Sequence, residues 1–175
     1  MNEAFDSDLA NIEKSVQAYV EIYPGAEPVS LEVTLLLVRA ATLQSGALDR
    51  FFDSMGLDRT RGRYGVLRIL YFADDKRMRQ FEISSYMNVT SANVTYLVDG
   101  LEKEGLVSRL PDEFDRRVSW VVLSPAGARV CETLMPGMID LAGRIMAGFS
   151  LDEKRQFRDF LLRLRLNALR EQGIS

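Results

Sequence analysis

The chain has 175 residues, enough for one domain or two small lobes around a sound core. It contains no His and a single Cys, which leaves no common metal cluster, no usual nucleophile–base pair and no internal disulfide framework, so neither an enzyme nor a cofactor carrier is expected. The formal net charge of −3 is unevenly spread: residues 1–30 carry one Lys against six carboxylates, whereas residues 59–117 hold eleven basic and nine acidic groups.

In chain order, residues 1–28 form an acidic arm in which Leu9, Ile12, Val16, Tyr19 and Val20 keep a helical period that ends at Tyr23-Pro24-Gly25. This N-terminus lacks the basic and apolar stretches of a secretion signal. The longest apolar run, around Leu35–Val38, is too short to span a bilayer, and a cytoplasmic protein without membrane contact is expected. Ser30 is placed to cap a long helix running to about Met55, with Gly56 ending it. Thr60 opens the next helix, where Tyr64, Leu67, Leu70 and Tyr71 repeat at helical spacing until Asp74-Asp75.

Residues 78–123 read as one continuous unit. A short helix, Gln80–Met87, carries Phe81, Ile83 and Met87 as its apolar positions. Asn88 suits the left-handed residue that must end it, and Thr90 suits the N-cap of the following helix, Ser91–Glu104. Val94, Leu97, Val98 and Leu101 make one apolar stripe along that second helix, and Gly105 stops it. Its other side offers Ser91, Asn93, Thr95 and Tyr96, small or hydrogen-bonding groups able to reach base edges in a major groove. A strand over Leu106–Leu110, closed by Pro111, and a second over Val118–Leu123 flank a charged tip containing Asp112, Asp115, Arg116 and Arg117. Arg residues at a hairpin tip suit a narrow minor groove or a phosphate, with a neighbouring carboxylate to hold them.

Ser124-Pro125 marks the start of another helix, running to about Gly148 with a bend or break at Pro136-Gly137. Ser150-Leu151-Asp152-Glu153 is a capping box. The last helix carries Phe157, Phe160, Leu161 and Leu164 on one stripe, and a second copy of the chain is the expected partner for it, folding back on its own core being the other possibility.

The run Leu97-Val98-Asp99-Gly100-Leu101-Glu102-Lys103-Glu104-Gly105-Leu106-Val107, followed by Asp115-Arg116-Arg117 and Leu123-Ser124-Pro125-Ala126-Gly127, resembles the MarR family of bacterial transcription regulators. The likeness extends over about residues 30–170. It implies a homodimer that binds a palindromic double-stranded DNA operator, often represses, and is often released by a small aromatic ligand. The expected DNA-contacting residues are Thr90, Ser91, Asn93, Thr95, Tyr96, Arg109, Arg116 and Arg117, with Asp112 and Asp115 supporting the wing. Ser91, Tyr96 and Gly100 stand where members of the family often carry Arg, which shifts affinity toward the wing and backbone amides. The helix within residues 1–28, with its Tyr-Pro exit, resembles the urate-responsive branch of the family. Tyr19 stands where that branch commonly has Trp and Gly65 where it has Asp, so urate is not carried over.

The expected fold is therefore mainly α with a small β-hairpin wing. Residues 1–58 would be the N-terminal arm and dimerisation helices, 59–123 the winged helix-turn-helix lobe, and 124–175 the C-terminal dimerisation helices. By family analogy, an effector such as an aromatic or organic acid would lie near Tyr19, Arg39, Arg63, Tyr64 and Arg68. Read singly, tyrosines at helical spacing are core residues and arginines form intramolecular pairs. Cys131 sits in an apolar helical stretch with only Arg129 as a close cation, the setting of a packed small residue rather than a reactive thiolate. Two other functions fit the same residues: a winged-helix module for protein contact without specific DNA binding, and a regulator that needs no ligand.

Overall fold

The computed structural model describes residues 3–56, 61–112 and 119–173, with the side chains of 3–6 and 61 excepted. Its elements are α1 (Glu3–Ile22), α2 (Pro28–Ser54), α3 (Arg61–Phe72), β1 (Arg77–Arg79), α4 (Gln80–Met87), α5 (Ser91–Lys103), β2 (Val107–Pro111), β3 (Ser119–Leu123), α6 (Pro125–Ile145) and α7 (Leu151–Glu171). The sheet order is β1-β3-β2, antiparallel throughout. The expected two-stranded wing is thus a three-stranded sheet, in which Arg77, Met78 and Arg79 pair with Val122, Val121 and Trp120. A three-residue strand is too short to show an alternation in sequence, so only its pairing reveals it.

The core is one cluster in which α3, α4, α5, the sheet and α6 meet. Val66, Leu67, Leu70, Ile83, Val94, Val98, Leu101, Val121 and Cys131 are fully buried in it. Phe81 is not among them. It is 55% exposed, because on so short a helix Ile83 already fills the inward position and Met87 packs beside it.

Local chemistry sets the helix ends. Asn88 is left-handed at φ 53°, and the Thr90 hydroxyl accepts from the Asn93 amide. Ser150 and Glu153 bond reciprocally, a pairing that holds the Glu153 carboxyl below the usual carboxylate range. Ser30 does not cap α2. Pro28 takes the first helical position and the Glu27 carboxylate caps it, accepting from the amides of Val29 at 3.0 Å and Ser30 at 2.6 Å. Thr60, expected to open α3, lies outside the described residues. Pro111 is the last residue of β2, paired with Ser119, rather than a residue beyond it.

Helix α6 runs without a break through Pro136. Gly137 serves a close approach instead, since a Cβ there would lie 2.5 Å from Cε2 of Phe51 on α2. By length and composition alone, α2 is apolar enough to cross a bilayer, with a mean hydropathy of 1.2 over its best window. The run Leu35–Val38 is bounded by Thr34 and Arg39, and scattered Ser, Thr and Gln divide much of the rest, so no long apolar run is visible although the window as a whole is apolar.

Between α3 and β1, the turn at Asp74–Lys76 places Asp75 at φ 52° and Lys76 at φ 54°, both left-handed. A side chain costs about 1–2 kcal/mol there, partly offset for glycine by about 0.5–1 kcal/mol of extra unfolded-state entropy. Asp75→Gly is expected to raise Tm by roughly 2 °C in a thermal melt. An unchanged or lower Tm would mean that the exposed Asp75–Arg77 pair, at 3.6 Å, outweighs the backbone strain.

Candidate nucleic-acid interface

Helix α5 is held from three sides and free on the fourth. Val94, Val98 and Leu101 face the core, while Ser91, Ala92, Asn93, Thr95 and Tyr96 are exposed, Tyr96 at 70%. Thr95 is already engaged: its hydroxyl donates to the Ser91 carbonyl at 2.9 Å and accepts from Gln80 Nε2 at 2.6 Å. Gln80, the first residue of α4, is thereby fixed beside the exposed face, with its carbonyl oxygen directed by the same bond.

On the wing side, Arg109 of β2 reaches back to α5. Its guanidinium meets Asp99 Oδ1 and Glu102 Oε2, each at 2.5 Å, and its backbone amide donates to Glu102 Oε1 at 3.0 Å. These are charge-assisted bonds in a fork geometry that Arg alone provides. Arg109 is therefore a strut between wing and helix, three-quarters buried. At the wing base, Trp120 Nε1 donates to Asp112 Oδ2 at 2.8 Å, and Arg79 stands 3.7 Å from the same carboxylate. The guanidiniums of Arg77 and Arg79 lie 4.8 and 4.9 Å from the Trp120 ring, at cation–π distance. Asp112 thus ties the wing to the first residue before α4. Asp115, Arg116 and Arg117 lie outside the described residues.

A short helix, a left-handed turn, a second helix with a polar outer face and an adjoining hairpin make a winged helix-turn-helix. Residues 60–119 match the sequence profile of the MarR family. The chain is 30% identical to the HTH-type transcriptional repressor YetL of Bacillus subtilis over 82% of its own length and 85% of that protein's. The chain belongs to the MarR family. It is also 27% identical to the HTH-type transcriptional regulator MhqR of the same bacterium, over 79% of this chain and 93% of that one. Among solved structures, the MarR-family regulator Sco3205 of Streptomyces coelicolor, in complex with DNA, superposes with a TM-score of 0.72 at 25% identity, covering 78% of this chain and 85% of that one.

In this MarR-family chain the five residues considered for an effector fall into different settings. Tyr64 is core, against Phe52 at 5.6 Å between ring centroids, and burial pushes its phenol up. Its hydroxyl has no hydrogen-bond partner among the described residues. Arg39 pairs with Asp8 of α1 at 2.5 Å, and Arg63 pairs with Glu104. Tyr19 and Arg68 are exposed. Cys131 is fully buried, and burial followed by the nearby Glu132 pushes its thiol up to about 11, so it is not a thiolate at neutral pH. Gln80, Arg77, Arg79 and Trp120 were not singled out in sequence. Arg77 and Arg79 flank Met78 while the lone Trp120 stands far along the chain, so their relation acquires meaning only when β1 pairs with β3.

Proposed function

We propose that this MarR-family DNA-binding regulator works in the cytoplasm as a homodimer. It represses from a two-fold symmetric operator and is released by a small aromatic or organic-acid ligand. In this reading residues 59–123 are the DNA-binding lobe, and residues 1–58 and 124–175 carry the dimer. The observation that carries it is the outer face of α5: hydrogen-bonding side chains around an exposed Tyr96, next to a wing braced by Arg109 and Asp112. Ser91, Asn93 and Tyr96 would read bases, Thr90 and Thr95 would lie along the backbone, and Arg116 and Arg117 would enter the minor groove.

The dimer is supported by the apolar surface that one copy leaves open. Helix α7 buries none of its residues, and Phe157, Phe160, Leu161 and Leu164 are each at least 39% exposed. Val29, Val33, Leu36 and Leu43 of α2 are exposed as well. Lipid is a poor occupant for α2, since Arg39 sits near its middle and an Arg at a bilayer centre costs about 2.5–3.5 kcal/mol. A second copy covers both stripes without that cost.

The test is selection of duplexes from a random-sequence pool, followed by footprinting. Repression predicts an enriched sequence with inverted half-sites about 10 base pairs apart centre to centre, or a multiple of that. A chain that enriches nothing would give the lead to the protein-contact reading, for which α5's own acidic residues Asp99 and Glu102 are the supporting observation.

A further inference from the structure

Helix α5 is a poor polyanion ligand by its own composition. Lys103 is its single basic residue, against Asp99 and Glu102, with Glu104 following at its end. The cation it lacks arrives from another helix. Gly100 lies one turn beyond Tyr96, half-buried at the edge of the exposed face, and the guanidinium of Arg63 from α3 rests on it. A Cβ at Gly100 would stand 2.6 Å from Nη2, 2.8 Å from Cζ and 2.9 Å from Nε of Arg63. Nη1 of the same group pairs with Glu104. The approach is close at the preceding residue as well, where a Cβ on Gly62 would lie 3.0 Å from Leu97 Cδ2. The Arg63 side chain nevertheless stays 29% exposed.

From this arrangement we infer that Arg63 is a DNA-backbone contact, delivered by α3 onto the recognition helix through the space that Gly100 leaves empty and steadied there by Glu104. This rests on the reading of α5 as the helix that enters the groove. Guanidinium is suited to the role, because one N–H edge can serve Glu104 while another meets a phosphate oxygen. Arg109 occupies the opposite flank but gives its fork to Asp99 and Glu102. Of Arg63 and Arg109, Arg63 is the one with a single carboxylate partner among the described ion pairs.

The test uses the full-length protein and a duplex that the wild type enriches from a random pool, titrated at several salt concentrations. Arg63→Gln is expected to weaken binding about tenfold and to reduce the slope of log affinity against log salt by about 1. Gly100→Ala, which displaces a flexible side-chain end and improves helix propensity, is expected to give the same loss without loss of fold. The double variant Arg63→Ala with Gly100→Arg puts a guanidinium back at this edge and is expected to recover the slope. Loss of affinity with the wild-type salt slope in both single variants would overturn the contact and leave only a structural staple. A wild type that enriches no duplex would overturn the reading of α5, and the contact with it, before any variant is made.

Discussion

Arg109→Ala is expected to cost about a hundredfold in DNA affinity, or about 2.7 kcal/mol, while lowering Tm by only a few degrees. The asymmetry follows from what the guanidinium does. Its ion pairs to Asp99 and Glu102 join groups that are a quarter to a half exposed, so each contributes about 1 kcal/mol or less to folding. For DNA the loss counts twice. The strut between β2 and α5 disappears, and two carboxylates beside the exposed face lose the charge that offsets them. A triple variant separates these effects. If neutralisation dominates, adding Asp99→Asn and Glu102→Gln to Arg109→Ala restores most of the affinity. If the strut dominates, the triple variant binds as weakly as the single one, and the wing's minor-groove footprint is lost while protection of the major groove remains. An Arg109→Ala protein that binds within threefold of wild type would remove Arg109 from the interface altogether.

The pattern of what was readable in the sequence has the same physical basis. Asn88, Thr90, Ser124-Pro125 and Ser150–Glu153 act on backbone groups within four residues, so their roles are visible from residue type and spacing. The stripe Val94, Val98 and Leu101 is visible because burial follows the helical period. The strut and the imported cation are not, because they join residues whose separation carries no period: Arg109 meets Asp99 ten residues away, and Arg63 meets Glu104 at a distance of 41. Gly100 read in isolation marks a missing Arg; beside Arg63 it is a seat for one. Pro136 does not break α6, for a related reason. A helix tolerates the loss of one hydrogen bond when neighbouring packing holds it, and here Gly137 lies against Phe51 at the next residue.

Two Gly→Ala changes in the same helix are expected to act with opposite sign, and their contrast tests how the DNA-binding lobe is joined to α6. A Cβ at Gly143 meets nothing within 4 Å, so Gly143→Ala gains helix propensity of about 1 kcal/mol and raises Tm by roughly 2–4 °C. A Cβ at Gly127 would collide with the Leu106 carbonyl oxygen and lie 2.8 Å from Leu123 Cδ1. The backbone there cannot easily yield. The Ser124 amide donates to that same Leu106 carbonyl at 3.0 Å, the Ser124 hydroxyl donates to the Gly105 carbonyl at 2.7 Å, and the Gly127 amide donates to the Ser124 hydroxyl at 3.0 Å. Overpacking of this kind costs about 3 kcal/mol, so Gly127→Ala is expected to lower Tm by roughly 6–12 °C. The site is also where the exit of α5 is fastened to α6, so the clash must either unfold the junction or turn the lobe relative to α6. In a symmetric dimer such a turn changes the spacing of the two recognition helices, and binding to a two-fold site falls more steeply than binding to a single half-site. Differential scanning calorimetry reads the first effect, and paired titrations against whole-site and half-site duplexes read the second. A Gly127→Ala protein as stable as Gly143→Ala would show that α6 is free to shift and that this junction does not hold the lobe in place.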